Sequence, residues 1–148
     1  MHEKPTMVIV SGYFNPFHIG HLKMFQAAKT LGDELFVIVN NDEQQIVKKG
    51  KIIINEEERL ELIKAVRYVD KACIAIDSDQ TVCKTLKHLA QMFSDYYLIF
   101  ANGGDKNSID DIPETDICDD YDISMRFGVG GTEKLNSSSD INSLNGKE

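Results

Sequence analysis

Two histidines, His18 and His21, follow a turn-forming stretch, "GYFNPF", that starts at Gly12. The apolar run before this stretch predicts a buried strand and the residues after it predict a helix, so the histidines fall at a helix N-terminus. Such an end carries unpaired backbone N–H groups and the positive end of the helix dipole, which together bind phosphate. Side chains three residues apart lie on one side of a helical turn, so both imidazoles can reach the same anion. This pattern favours a phosphate site over capping or core packing, and over a metal site, for which helical histidines more often lie four residues apart.

The composition is that of one globular domain. With 148 residues, we expect a single domain over residues 1–148, in which 137–148 form a short helix and a frayed tail. The net charge of −8 argues against nucleic-acid binding, which requires clustered Lys and Arg. The three cysteines form no CxxC pair, and no apolar stretch resembles a signal peptide or a membrane span. These features predict a cytoplasmic protein that binds neither nucleic acid nor membranes.

Buried strands and amphipathic helices alternate along the chain. Apolar runs rich in β-branched residues predict strands at 6–11, 34–40, 71–76 and 96–101, with a weaker fifth strand within 123–129. Helical patterns predict helices at 19–31, 56–69 behind the N-cap Asn55, and 79–92 with Asp79 as its cap. The basic segment 41–51 is predicted as a loop and the acidic segment 108–122 as a turn-rich connection. This order predicts an α/β fold that is Rossmann-like and doubly wound, with a five-stranded, mainly parallel sheet and helices on both faces.

The stretch around the histidines resembles the nucleotidyltransferase superfamily, which is marked by HxGH after the first strand. The likeness to its small cytidylyltransferases, typified by glycerol-3-phosphate cytidylyltransferase, and to its heptose-phosphate adenylyltransferases includes Lys23 in HxGHxK. It continues through "AKTLGD", "NDE", "KKGK", "EEER" and "RYVD". The string "HIGH" also occurs in class I aminoacyl-tRNA synthetases, but those chains are far longer and carry a KMSKS loop that is missing here.

The resemblance implies transfer of a nucleotidyl group from a nucleoside triphosphate to a phosphorylated small molecule, with release of pyrophosphate. His18 and His21 would donate hydrogen bonds to the triphosphate, and Tyr13 and Phe14 would offer backbone contacts to the nucleotide. Mg²⁺ would enter with the triphosphate and need few protein ligands. Because the acceptor phosphate is already ionised, the site must position two polyanions and stabilise charge rather than supply a strong base. The resemblance also implies a homodimer.

Further residues complete the implied site. Lys48 would contact the acceptor and either Lys49 or Lys51 would bind a second phosphate, although a solvated charge run is the alternative for this segment. Arg59 would lie in the first turns of its helix, where a cation opposes the dipole and a functional role is therefore favoured. Lys106 would reach a phosphate. The remaining residues implied in nucleotide binding are Asn102, Gly103, Asp105, Lys134, Ser137, Ser138 and Ser139.

Two positions depart from the pattern of the family. Asn15 stands where an Asp is usual, and the arginine expected before the serine run is absent there, with Lys134 as its nearest replacement and Arg126 further back. We predict a nucleotidyltransferase that favours CTP over ATP and acts on a phosphorylated polyol or sugar. The alternatives are an ATP-dependent adenylyltransferase acting on a sugar phosphate, and a catalytically silent nucleotide-binding module.

Overall fold

The computed structural model of the chain describes residues 4–103 and 112–130. The strands in this part are β1 (Thr6–Gly12), β2 (Glu34–Val39), β3 (Lys71–Ile74), β4 (Tyr97–Ala101) and β5 (Ser124–Arg126). The helices are α1 (Ile19–Lys29), α2 (Asp42–Lys49), α3 (Glu56–Lys64), α4 (Cys83–Met92) and α5 (Thr115–Asp120).

The strands form one sheet in the order β3-β2-β1-β4-β5, and every pairing in it is parallel. β1 lies at the centre, with Val10 opposite Val37 of β2 and Val8 opposite Ile99 of β4. The chain runs outward from β1 to β3 and then crosses back to continue on the other side with β4 and β5. The predicted α/β fold is therefore confirmed. In such sheets ligands bind beyond the carboxyl ends of the strands, where the two halves diverge.

Helices cover both faces of the sheet, because successive side chains of each buried strand point to opposite sides. The core on the face of α1 and α3 includes Val8, Val10, Leu35, Val37, Phe25, Ala28 and Ile63. The core on the face of α4 and α5 includes Met7, Ile9, Phe36, Ile38, Leu86, Leu89 and Cys118. Both layers anchor the central strand whose end leads to the histidines.

The segment 41–51 was predicted as a loop, and this prediction is wrong because the segment contains helix α2. Oδ1 of Asn41 accepts the N–H of Gln44 at 2.8 Å, and Oε1 of Gln44 accepts the N–H of Asn41 at 2.9 Å. This reciprocal capping box starts a helix. Gly50 ends it with a φ of +80°, a left-handed conformation that glycine adopts readily. The basic residues therefore lie on and just after a helix at the end of β2.

The third helix is shorter than predicted. It ends at Lys64 instead of 69, because the chain must turn to reach the start of β3. Within that turn, Oδ2 of Asp70 accepts the backbone N–H of Leu35 at 2.8 Å and so joins the turn to β2.

The fourth helix starts later than predicted. It begins at Cys83, and Asp79 accepts hydrogen bonds from Thr81 in the preceding turn rather than from the helix. The N–H groups of the first helical turn are bound by Asp77, whose carboxylate accepts from Lys84 at 2.7 Å and from Thr85 at 3.1 Å.

The acidic connection 108–122 contains the six-residue helix α5, which the sequence did not predict. The short helix predicted within 137–148 lies outside the described residues. Among the helices that are described, none is both long enough and apolar enough to cross a membrane.

Candidate active site

The turn that joins β1 to α1 is built around the ring of Phe14. This residue has a φ of +53°, a conformation that is uncommon for residues other than glycine. Its side chain is buried and folds back over Gly12, where a Cβ atom would lie 2.7 Å from Cζ of the ring. Glycine is therefore required at position 12, and the buried ring fixes the path of the chain into the helix.

His18 and His21 cap helix α1 with their own rings. Nδ1 of His18 accepts the backbone N–H of Gly20 at 3.0 Å, and Nδ1 of His21 accepts the N–H of His18 at 3.1 Å. The two rings are stacked, with their centroids 3.8 Å apart. Because Nδ1 is an acceptor in both rings, each neutral imidazole carries its proton on Nε2. The structure brings the two predicted donors together and gives them the same tautomer.

The surroundings of the pair favour neutral imidazoles. Burial lowers the pKa of His18, and burial together with the proximity of His18 lowers the pKa of His21 to about 4. The His21 ring packs against Phe14 and Phe17, with centroid distances of 4.9 and 5.6 Å. Such apolar contacts disfavour an imidazolium ion. These surroundings therefore favour two uncharged rings at neutral pH, each with its proton on Nε2.

Arg59 lies beneath the turn and not on the surface of the site. Its buried guanidinium donates through Nη1 to the carbonyl oxygens of Tyr13 and Asn40, both at 2.7 Å. Nε donates to the carbonyl oxygen of Ile54 at 2.8 Å, and Nη2 pairs with Asp42 at 2.7 Å. These bonds join the ends of β1 and β2 to the starts of α2 and α3. Enclosed in this way, Arg59 is 1% exposed and holds the turn in place, and the catalytic role predicted for it stays a prediction.

Asn15 holds the segment that precedes α3. Its Oδ1 accepts the backbone N–H groups of Ile53 at 3.2 Å and Ile54 at 2.9 Å. A carboxylate oxygen would accept the same two bonds, so the change from the family's Asp leaves this contact possible. Asn15 thus ties the histidine turn to the chain that follows the basic residues.

The lysines of α2 border the same turn. Lys48 is exposed, and its Nζ lies 4.4 Å from the centroid of the Tyr13 ring, within the range of a cation–π contact. Lys51 is also exposed. Lys49 is the last residue of α2, and its side chain lies outside the described part of the structure. The helix therefore places Lys48 beside the end of β1, and the predicted roles of all three lysines in binding phosphate stay predictions.

The end of β4 borders the histidine turn on the side of β1 that is opposite to β2 and α2. The N–H of Asn102 donates to the carbonyl oxygen of Arg126 at 2.9 Å, and its own carbonyl oxygen accepts the N–H of Val129 at 2.9 Å. A Cβ atom on Gly103 would meet no described atom within 4 Å. The remaining predicted residues lie outside the described residues: Asp105, Lys106, Lys134, Ser137, Ser138 and Ser139.

The described residues do not form a metal site by themselves. Within 4–103 and 112–130, no group of three or more His, Cys, Asp or Glu side chains could hold a metal ion. The carboxylate of Asp42 is already paired with Arg59. Phosphate oxygens are ligands that Mg²⁺ prefers, and the entry of Mg²⁺ with a triphosphate stays a prediction.

Sequence reasoning missed the polar residues at the start of α2. Asp42 pairs with the buried arginine, and Gln45 is 2% exposed. The Asn-Asp-Glu-Gln run that begins at Asn41 combines an N-cap with a capping box and could have revealed the helix. No local pattern, however, indicates that Gln45 is buried.

Known proteins resemble this chain in sequence. The family described as Cytidylyltransferase-like matches residues 9–117 of the chain. A FAD synthase of Methanosarcina barkeri is 40% identical over 84 residues, which are 57% of this chain and 58% of that protein. An ethanolamine-phosphate cytidylyltransferase of Arabidopsis thaliana is 33% identical over 103 residues, which are 70% of this chain and 24% of that protein. The matches therefore cover less than two thirds of the length of either relative.

A solved structure supports the same assignment. The lipopolysaccharide core biosynthesis protein from Thermoplasma volcanium has a TM-score of 0.64 and 28% identity to this chain, over 84% of this chain and 94% of its own. The family match spans well over half of the chain and includes the histidine turn, α2 and Arg59. The chain belongs to the Cytidylyltransferase-like family.

Proposed function

We propose that this protein transfers a nucleotidyl group from a nucleoside triphosphate to a phosphorylated small molecule. The observation that carries the proposal is the stacked pair His18–His21. Nδ1 of each ring accepts a backbone N–H, so a neutral ring carries its proton on Nε2. Two such donors at a helix N-terminus suit the oxygens of a triphosphate. The pair is the first of the two parts that the reaction needs, and Lys48 beside Tyr13 is the second.

The reaction needs positioning more than acid–base chemistry. An oxygen of the ionised acceptor phosphate attacks the α-phosphorus, and the bond from that phosphorus to the bridging oxygen breaks, so that pyrophosphate leaves with the electron pair. The two Nε2–H groups and the N-terminus of α1 stabilise charge on the triphosphate, while Lys48 attracts the acceptor phosphate. Mg²⁺ bound to the triphosphate would neutralise charge on the departing pyrophosphate.

For the substrates, we favour ATP as donor and FMN as acceptor. The relatives named FAD synthase support this choice, since FAD consists of AMP joined to FMN through a pyrophosphate bond. FMN ends in a ribityl phosphate and so belongs to the phosphorylated polyols predicted from the sequence. This choice reverses the preference for CTP. The relative named ethanolamine-phosphate cytidylyltransferase favours a second candidate, transfer from CTP to a phosphorylated amino alcohol.

A screen of substrates tests the proposal. Each of the four nucleoside triphosphates is combined with FMN, glycerol 3-phosphate, a sugar phosphate or phosphoethanolamine in the presence of Mg²⁺, and pyrophosphate release is measured. We expect release with ATP and FMN only when both are present. Binding of nucleotides without release for any acceptor would instead indicate a catalytically silent module.

Variants of the histidines test the role of the pair. His18→Asn and His21→Asn keep an oxygen that can accept the capping N–H but lose the Nε2–H donor. Removing one preorganised donor should lower kcat by about 10²–10³-fold. His88→Asn is the matched control, because His88 is exposed on α4, and it should retain wild-type turnover. Near-normal turnover in both site variants would contradict the proposal.

A further inference from the structure

The cation–π contact between Lys48 and Tyr13 joins helix α2 to the histidine turn. Nζ of Lys48 lies over the ring of Tyr13, 4.4 Å from its centroid, and attraction of this kind extends to about 6 Å. Tyr13 directly follows β1, whereas Lys48 belongs to the last turn of α2. The contact therefore connects two segments that only the fold brings together.

The ring of Tyr13 is held in a fixed position. Its carbonyl oxygen accepts a hydrogen bond from Nη1 of the buried Arg59 at 2.7 Å. The residue that follows, Phe14, is buried and has a φ of +53°. Oη, at the far end of the Tyr13 ring, is also buried, although the residue as a whole is only half-buried. Because the backbone and the far end of the ring are both enclosed, packing restricts the ring to the position in which Lys48 lies over its face.

This contact restricts Lys48 without cancelling its charge. The side chain of Lys48 is exposed, and the long stem of a lysine loses conformational freedom when its ammonium group is held in one place. An aromatic ring attracts that group through its quadrupole and has no net charge of its own. Burial raises the pKa of Tyr13, opposed by Arg59 and reinforced by Glu114, so the phenol keeps its proton at neutral pH. The ring therefore holds the ammonium group and leaves its positive charge unchanged.

We infer that Tyr13 is a positioning residue that holds the ammonium group of Lys48 where the acceptor phosphate binds. This inference rests on the proposed function, in which Lys48 attracts that phosphate. Holding the ammonium group in advance reduces the entropy cost of binding the phosphate. The side chain of Tyr13 acts only through Lys48, so its removal should weaken binding of the acceptor and leave binding of ATP unchanged.

Steady-state kinetics with ATP and FMN test this role. Tyr13→Leu removes the aromatic face, and loss of an exposed cation–π contact should raise the KM for FMN by about two- to fivefold without changing the KM for ATP. Tyr13→Phe keeps the ring and should restore the KM for FMN. Lys48→Met should raise that KM by about tenfold or more, as expected for loss of a hydrogen bond to a charged group. In the double variant, Tyr13→Leu should add nothing to the effect of Lys48→Met.

Tyr97→Leu is the matched control. Nζ of Lys4 lies 4.7 Å from the centroid of the Tyr97 ring, so this variant removes the same kind of contact from the start of β4, at the opposite end of the sheet from the histidine turn. It should change neither KM. The positioning role would be overturned if Tyr13→Leu changed neither KM or both alike, if Tyr13→Phe behaved like Tyr13→Leu, or if the double variant were worse than Lys48→Met.

Nuclear magnetic resonance tests the contact without measuring activity. The ε-CH₂ protons of Lys48, identified by their loss in Lys48→Arg, should resonate upfield of those of the exposed Lys51, because the adjoining ammonium group lies over an aromatic face. The upfield shift should persist in Tyr13→Phe and vanish in Tyr13→Leu. Equal resonances for Lys48 and Lys51 in wild-type protein would overturn the inference, even if Tyr13→Leu does not fold.

The remaining outcomes separate the inference from the proposed function. If wild-type protein releases no pyrophosphate from ATP and FMN, the proposed substrates are wrong, and inorganic phosphate then serves as the probe. Its dissociation constant is measured from the Lys48 resonances of wild-type protein, Tyr13→Phe and Tyr13→Leu. Weaker binding confined to Tyr13→Leu supports the positioning role. Equal binding by all three proteins, or no response of the Lys48 resonances to phosphate, overturns it.

Discussion

Arg59→Met would remove the guanidinium that joins the two sides of the site, while keeping most of the buried volume. Arg59 is 1% exposed and donates to the carbonyl oxygens of Tyr13, Asn40 and Ile54, besides pairing with Asp42. A buried group left without its partner costs about 1–3 kcal/mol, and a broken buried ion pair about 3–5 kcal/mol. These costs overlap, and water can solvate Asp42, whose side chain is 27% exposed. We expect the free energy of unfolding to fall by about 3–5 kcal/mol.

Urea unfolding followed by circular dichroism measures this loss. A change of this size is a large share of the roughly 5–15 kcal/mol that stabilises a typical domain, and it should lower Tm by about 6–20 °C. The stability of Arg59→Lys should lie between those of wild-type protein and Arg59→Met, because an ammonium group keeps the charge near Asp42 but not the planar set of donors. Arg67→Met is the control, because Arg67 is exposed and lies over the ring of Tyr68. If Arg59→Met lost no more than this control, the positioning role of Arg59 would be refuted.

Two further predictions concern the same turn. His21 has a folded-state pKa of about 4, below the value of about 6.5 for an unperturbed histidine. As the pH falls, the unfolded chain therefore binds a proton at His21 before the folded protein does. About 2–3 kcal/mol of the unfolding free energy present above pH 6.5 should be lost as the pH falls towards 4. Urea titrations across this pH range should show that the unfolding free energy of His21→Asn depends less steeply on pH than that of wild-type protein. The same dependence in both proteins would contradict the pKa shift. Asn15→Ala leaves the N–H groups of Ile53 and Ile54 without their acceptor and should cost about 1–3 kcal/mol, whereas Asn15→Asp should stay within about 1 kcal/mol of wild type. Equal unfolding free energies for these two Asn15 variants would show that the contact is unimportant.

Much of the fold could be predicted because its determinants are local. The apolar β-branched runs gave the buried strands, and their alternation with helices implied the parallel sheet. Helix α2 is hard to predict because its basic C-terminal half resembles a solvated loop, although the capping box at Asn41 marks its start. The predicted start of α4 is wrong because the N–H groups of its first turn are bound by Asp77, which follows the end of β3, and not by Asp79.

Spacing and turn residues suffice to predict that His18 and His21 lie together at a helix N-terminus. The tautomer of the two rings could not be predicted, because it depends on which ring nitrogen accepts a backbone N–H in the folded turn. The burial of Arg59 and of Gln45 also arises only from packing between distant segments. Sequence therefore indicates which residue types gather at the end of β1 better than it indicates which of their side chains are enclosed by packing.

Following the α-phosphate of ATP tests the central claim most directly. Wild-type protein is incubated with FMN, Mg²⁺ and ATP labelled with ³²P at either the α- or the γ-phosphate, and the products are separated. Nucleotidyl transfer predicts that the α label enters a flavin dinucleotide and the γ label enters pyrophosphate, with both signals strongly reduced in His18→Asn. Appearance of the γ label on the flavin, or retention of the α label in ADP, would contradict nucleotidyl transfer.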